Sequence, residues 1–501
     1  MKLNTKRTIL VGFAFFLISA FWQAYDAIVP LALNNHYGLP HSISGFVMSI
    51  DNILAVFMLP IFGALSDKVM TKFGKRTPFI VVGTIAAVLS FIALTFVNGI
   101  QLEALKDAGI VDAFNNAQKA FTATKEQLAE AFKNGLISAE AREAGISQAE
   151  SIFNAVKEEL ALEAREITLG NVWPLVGFMA VLLLVLIAMA TFRSPAVALM
   201  PDVTVKPLRS KANAIINLMG TAGGIIVLVV TTIVGTSSKL YMHYFGYVAL
   251  VCSIMILGLI IFLLTVKEKK WAEEMEADSI KFGLVDKEEN SAEGNRSLSK
   301  GEMKSLLLIL ASVALWYIGY NSITSKYTVY ATTVLNIDYG ISLIVAQAAA
   351  IISYIPVGIV ASKFGRRKTI LAGIIMLASA FFIGNFIGAG VSNLVMYPIF
   401  ALAGIGWATI NVNSFPMVVE LARGGEVGKY TGYYYTASMA AQIVAPILSG
   451  ILYDAFGMRA MFFSFGTVFV VFSFVTMFFV KHGDAKAERQ GALEALGGSD
   501  D

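Results

Sequence analysis

Apolar runs of membrane-spanning length recur along the chain, separated by polar turns. They fall near 8–31, 43–65, 78–97, 172–194, 212–235, 245–266, 304–330, 341–361, 369–388, 394–419, 430–452 and 459–480. A bilayer's hydrocarbon core takes about 20 residues of helix, so the pattern predicts twelve transmembrane helices. Two stretches break the rhythm. Residues 98–170 are rich in Ala, Glu and Lys, and they predict short amphipathic helices with capping boxes at Thr124-x-x-Gln127 and Ser147-x-x-Glu150. Residues 267–303 are polar and mixed in charge, with Lys267, Lys269, Lys270, Glu273 and Glu274. The expected division is therefore an N-terminal bundle (1–97 and 171–266) interrupted by an insertion (98–170). A linker (267–303), a C-terminal bundle (304–480) and a tail (481–501) follow. The first apolar run is too long for a signal peptide and carries Trp22, Gln23 and Asp26, so it reads as a retained helix.

Basic residues orient the spans. Lys2, Lys6 and Arg7 precede the first helix. Lys68, Lys72, Lys75 and Arg76 follow the second, and Lys206, Arg209 and Lys211 the fourth. In the second half the matching turn carries Lys363, Arg366, Arg367 and Lys368, while turns 32–42, 331–340 and 389–393 have no Lys or Arg. The positive-inside rule then places both termini in the cytoplasm and the insertion outside. As an acidic outer cap the insertion reads as structural decoration, with a substrate-capturing lid as the alternative.

Composition supports a lipid setting. Of 501 residues 56% are hydrophobic and 15% charged, against about 25% charged in a soluble domain. The net charge of +3 gives no footprint for nucleic acid. A single cysteine, Cys252, excludes an intrachain disulfide, and the four scattered histidines show no metal-ligand spacing. No nucleophile motif, phosphate loop or cofactor motif points to an enzyme.

The chain repeats itself. Gly63-Ala64-Leu65-Ser66-Asp67-Lys68 is followed by Lys72-Phe73-Gly74-Lys75-Arg76, and Gly358-Ile359-Val360-Ala361-Ser362-Lys363 by Phe364-Gly365-Arg366-Arg367. Trp22-Gln23-Ala24-Tyr25-Asp26 is echoed by Trp316 through Tyr320-Asn321. Two related bundles place a substrate route between them near mid-membrane. The first loop resembles the signature of the major facilitator superfamily. The longer stretch Pro60 through Phe79, with Arg193-Ser194-Pro195, Asp202, Arg209, Asn213 and Gly428 through Tyr435, is similar to bacterial relatives of the sucrose–proton symporters. These neighbour the glycoside–pentoside–hexuronide cation symporters. The resemblance implies two pseudo-symmetric six-helix bundles and proton-driven sugar uptake by alternating access. It implies a monomer in the bacterial inner membrane, with sodium a less favoured coupling ion. The chain departs from it twice. Leu186 stands where the sucrose carriers have a fourth-helix Asp, and Ala55 and Leu59 stand where the melibiose carriers have cation-binding acids.

Intramembrane charges are the sharpest functional signals, because a carboxylate at the bilayer centre costs roughly 2.5–3.5 kcal/mol on insertion scales. Asp26 and Asp51 are the proton-coupling candidates. A structural polar role, such as Asp51 with Asn52, is the alternative. Lys326 is placed to pair with an acid such as Asp26 or to snorkel to the outer interface. Sugars stack on aromatic faces and hydrogen-bond to amides and carboxylates. The candidates are Trp22, Gln23, Tyr25 and Asp26, then Trp316, Tyr317, Tyr320, Asn321 and Lys326, then Trp407, Asn411 and Asn413, on the first, seventh and tenth helices. Packing, lipid contact and interhelical hydrogen bonding are their structural alternatives. A cytoplasmic gate is expected from Asp67, Lys75, Arg76, Arg193, Asp202, Arg209, Arg366, Arg367 and Glu420. In it Asp67 sits on a helix N-terminus and Arg76 bridges to Asp202. Gly220, Gly223 and Gly224 allow close packing of the fifth helix without the Gly-Pro pattern of drug–proton antiporters, which weighs against export. The alternatives are an exporter or antiporter of another organic solute, or a transporter-like solute sensor.

Overall fold

The structure, a computed structural model, describes residues 3–205, 209–236, 239–281, 299–388, 392–419, 421 and 427–483. In chain order its helices are α1 (Thr5–Leu31), α2 (His41–Lys68), α3 (Thr77–Asp107), α4 (Ile110–Lys133), α5 (Ala139–Gly170), α6 (Trp173–Asp202), α7 (Arg209–Val234) and α8 (Phe245–Thr265). They continue with α9 (Glu268–Lys281), α10 (Lys300–Thr324), α11 (Tyr327–Val329), α12 (Gly340–Phe364), α13 (Arg366–Gly384), α14 (Asn393–Val419), α15 (Val427–Phe456) and α16 (Met458–Phe478). Among the described residues eleven helical stretches are long and apolar enough to cross a bilayer, and α12 adds the shorter apolar stretch Gly340–Tyr354. Backbone groups satisfied within each helix are what make these runs viable in lipid.

Helices α1–α3 and α6–α8 form one bundle, and α10–α16 the other. The bundles meet along two seams, α2 on α15 and α7 on α12, which exchange places under the pseudo-two-fold. Within the first bundle α7 packs tightly on α1. A Cβ on Gly223 would lie 2.6 Å from the Phe16 carbonyl oxygen, and one on Gly220 would lie 2.9 Å from Ser19 Oγ. The first helix of each half ends in a π-helical turn, Ala32–His36 and Tyr330–Leu335. In the second half the helix also breaks, after Thr324, at Ser325 and Lys326.

The insertion differs from the expected short helices. Helix α3 runs on to Asp107, and α4 and α5 are long. Thr124 and Ser147 both lie inside helices, and the Thr124 hydroxyl donates to the Ala120 carbonyl at 2.9 Å. Inside a helix a Thr hydroxyl bonds back to the carbonyl four residues earlier instead of capping a helix start. The working N-cap of α5 is Ser138, whose Oγ accepts from the Ala141 N–H at 3.1 Å. The linker begins with a helix, α9, fixed to the first bundle: Arg7 bridges to Glu274 at 2.5 Å and lies over the Trp271 ring. Below, the end carrying α4 and α5 is called the insertion end, and the end carrying α9 and the N-terminus the terminal end.

Candidate functional site

The seam is closed at the insertion end. There Asp454 on α15 accepts from the His41 and Ser42 N–H groups, 2.8 Å each, and so caps α2. One and two turns along, Gly45 meets the Pro446 carbonyl and the Ser49 hydroxyl donates to the Ile443 carbonyl at 3.0 Å. On the other seam the Thr236 and Tyr339 hydroxyls are 2.6 Å apart.

Behind this closure, between the bundles, lies a cavity of about 640 Å³. It is lined from α1 by Ser19, Trp22, Gln23 and Asp26, and from α6 by Arg193. Asn217, Thr221 and Gly224 come from α7, Tyr320 and Thr324 from α10, Gln347 and Tyr354 from α12, and Trp407 and Asn411 from α14. Tyr320 stacks on Trp407 with centroids 5.8 Å apart, and Tyr354 meets Trp407 edge-on at 6.5 Å. The Gln347 amide donates to Gln23 Oε1 at 3.0 Å, joining the two halves across the cavity. The Arg193 guanidinium lies 5.7 Å over the Trp22 ring and interacts electrostatically with Asp51, which in turn interacts with Asp26. Arg193, Asp26 and the Trp22 ring thus form one charged wall of an otherwise apolar and amide-lined chamber, with Asp51 behind it. Towards the terminal end the wall reaches Asn217 and Leu218, both exposed.

Six expected substrate-site residues line this chamber, Trp22, Gln23, Asp26, Tyr320, Trp407 and Asn411, and Arg193, expected in the cytoplasmic gate, joins them here instead. Others turn away. Tyr25 and Trp316 are buried in their bundles. Tyr317 reaches the wall from behind, donating to Asn411 Oδ1 at 3.4 Å. The Asn321 and Asn413 amides donate to carbonyls of their own helices, at 2.8 and 2.9 Å. Asp51 accepts from the Asn52 amide at 2.9 Å behind Arg193. Lys326 does not bond Asp26, nor does it snorkel. It is fully buried at the helix break, which directs it to α2, where Nζ donates to Ser44 Oγ at 2.7 Å. Gln347, Asn217 and Tyr354 were not among the sequence candidates, although an amide or tyrosine inside an apolar run is the signal that marks them.

The signature loop forms a second polar centre, at the terminal end. Arg76 Nε donates to Asp202 at 2.7 Å, and its terminal nitrogen bonds Ser66 Oγ and the Gly63 carbonyl. All these partners belong to the first bundle, so the Arg76–Asp202 pair braces α2, α3 and α6 and does not itself span the seam. Arg366 opens α13, and Arg367 bonds the Phe478 carbonyl at the end of α16. The side chains of Asp67 and Arg209, and all of Glu420, lie outside the described residues.

A family model described as Major Facilitator Superfamily matches residues 167–353 and 333–497, and one described as MFS/sugar transport protein matches residues 10–105. The chain belongs to the major facilitator superfamily. An uncharacterized MFS-type transporter of Schizosaccharomyces pombe is 31% identical over 130 residues, 26% of this chain and 28% of that protein. MFS-type transporter ppzB of Metarhizium rileyi is 28% identical over 114 residues, 23% of each chain. The matched stretches thus span about a quarter of the length of these curated relatives. Among solved structures, the inward open xylose transporter XylE from E. coli superposes with a TM-score of 0.56 at 15% identity over 98% of both chains. The peptide transporter POT in complex with sulfate gives 0.58 at 13% over 94% of both. The nucleoside transporter NupG gives 0.52 at 12% over 94% of this chain and 99% of its own. These identities speak for the fold alone.

In this superfamily member the carboxylate that caps the signature helix comes from the linker. Glu268, 3% exposed, accepts from the N–H groups of Lys75 (2.6 Å), Arg76 (2.8 Å) and Thr77 (2.7 Å), and from the Thr77 hydroxyl (2.7 Å). These are the orphan donors at the start of α3. Gly74 makes room for it: its φ is +119°, and a Cβ there would fall 2.2 Å from the Glu268 carboxyl carbon. Gly365, the matching glycine of the second repeat, also has a positive φ, +91°. Glu268→Ala leaves the buried Arg76 and Thr77 N–H donors unpaired, each costing about 1–3 kcal/mol before water re-enters. The expected result is a melting temperature in detergent lowered by several degrees, with Glu268→Gln intermediate. An unchanged Tm for Glu268→Ala would remove the cap from the account.

Proposed function

We propose that the protein takes up a sugar or glycoside together with protons by alternating access. The observation that carries this reading is the chamber between the bundles. Its aromatic faces (Trp22, Tyr320, Tyr354, Trp407) stand among amides (Gln23, Asn217, Gln347, Asn411) and one carboxylate, Asp26. Such a lining suits a ring with apolar C–H faces and polar edges. The volume falls in the roughly 300–1,000 Å³ range of small-solute sites. Two further facts support a sugar: the sugar-transport family model over 10–105, and fold neighbours that include a D-xylose–proton symporter. Resemblance to the sucrose–proton and glycoside carriers points the same way. The departures at Leu186, Ala55 and Leu59 move proton duty to α1, with Asp26 the carrier and Asp51 its neighbour.

The basic turns assign the terminal end to the cytoplasm of the inner membrane, so this conformation faces inward and the insertion lies outside. Arg76, Asp202, Arg366 and Arg367 belong to that cytoplasmic end. The test is a substrate panel in proteoliposomes, read as pH change. Alkalinisation outside on adding one sugar is the expected result; a panel of sugars that moves no protons, alongside flux of another solute, overturns it. With the active sugar in hand, Trp407→Ala removes one ring of the stacked pair. At roughly the 0.5–1.5 kcal/mol of an aromatic contact, KM rises about 2- to 12-fold.

A further inference from the structure

Lys157 belongs to the first half but bonds the second. It lies on α5, in the insertion that joins α3 to α6. Its Nζ donates to the Thr332 and Thr333 carbonyls, at 3.0 and 2.7 Å, and to Asn336 Oδ1 at 2.5 Å. It also sits 4.7 Å from the Phe153 ring centroid, and it is only 7% exposed. The acceptors form the C-terminal end of the π-helical turn Tyr330–Leu335, which Asn336 closes with a φ of +55°. Carbonyls at such an end lack helix partners and carry the negative end of the helix dipole, so an ammonium is their natural complement. Asn154, three residues earlier on α5, accepts from the Asn336 amide at 3.4 Å. Two turns before Lys157 lies Glu150, 1% exposed, with neither carboxylate oxygen hydrogen-bonded. The charged groups that act on Glu150 are Lys125 of α4, Lys157 of α5 and Arg459 of α16; on Lys157 they are Glu150 and Glu158.

We propose that the insertion is a clasp on the seam, with Lys157 as its hook: closing the insertion end seats the ammonium on the broken helix of the second half, and opening that end requires lifting it off. Only the need to open rests on the alternating-access reading; the bonds cross between the halves whatever the cargo. Burial lowers the Lys157 amine to about 7 and raises the Glu150 carboxyl to about 7. The two signs oppose each other. The amine binds its proton more weakly when seated than in water, so its own titration favours opening at low pH and closing as pH rises through 7. The Glu150 carboxyl binds its proton more tightly when buried, so the stability it lends the closed state is lost as pH rises through 7. These two contributions offset, and the clasp rests on the three bonds that Lys157 makes to the second half.

The experiment measures spin-label distances across the insertion end. The full-length chain carries Cys252→Ser with labels at Glu159→Cys on α5 and Ser392→Cys before α14, both exposed, in lipid nanodiscs. Wild type is expected to show mainly the short distance at both pH 6 and pH 8.5, because the two titrations offset. Lys157→Met, which cannot donate to the three acceptors, is expected to show a longer population at least threefold larger at both. Wild-type distances in a folded Lys157→Met protein overturn the clasp. Where that variant does not fold, the milder Lys157→Gln is measured, and wild-type distances in it overturn the clasp instead. The readout needs no substrate, so failure here leaves the transport reading standing.

Discussion

Asp26→Asn is expected to abolish uphill accumulation while leaving exchange intact. Asp26 is the carboxylate that lines the chamber, on the same helix face as Trp22 and Gln23 and opposite Gln347. A carboxylate held among apolar walls is costly unless it serves the cavity or a partner. The other acid, Asp51, is engaged by Asn52 and by the field of Arg193, which suits it to biasing Asp26. Asparagine keeps the shape and the acceptor oxygen of Asp26 but cannot carry a proton. Downhill counterflow of labelled sugar, which needs no net proton movement, should therefore persist within a few-fold of wild type. Accumulation driven by an imposed pH gradient should fall to the equilibrium level. Asp51→Asn should keep accumulation at a reduced rate. Full accumulation by Asp26→Asn would move the proton site elsewhere.

The spans, the two halves and the basic terminal turns were legible because they rest on long apolar runs and on repeated short motifs. Trp22, Tyr320 and Trp407 were legible as unusual side chains inside such runs. Their facing was not. A helix apolar all round has no polar stripe to orient it, so Trp316 and Tyr317 could not be told from Tyr320, one turn away. The structure buries the first, sets the second behind the wall and gives the third to the cavity. Lys326 was misassigned because a helix break at Ser325–Lys326 leaves no mark in hydropathy, yet it sends the side chain to Ser44. Glu268 was missed for a different reason. It caps a helix some 190 residues earlier in the chain, and a cap made at that separation follows no local pattern.

Gly45 and Gly450 are where a single methyl group should slow the cycle several-fold. They lie on the two helices of one seam, each against the backbone of the other: a Cβ on Gly45 would fall 2.0 Å from the Pro446 oxygen, and one on Gly450 would fall 2.4 Å from the His41 oxygen. Both neighbours are backbone, which cannot rotate aside as a side chain would. The closed seam therefore tolerates a side chain at neither position without parting the helices, and with them the Asp454 cap on His41 and Ser42. Overpacking of this kind costs about 1–3 kcal/mol for a small addition. Because it falls only on the state closed at the insertion end, it shifts the equilibrium about 5- to 150-fold towards the open one. Gly45→Ala should thus slow net uptake by at least fivefold, and Gly45→Leu should nearly abolish it. Melting temperature should stay close to wild type, since each bundle keeps its own packing. The Glu159–Ser392 label distance should lengthen in step with the lost uptake. Wild-type turnover in Gly45→Leu would mean that the seam need not close this tightly for transport to proceed.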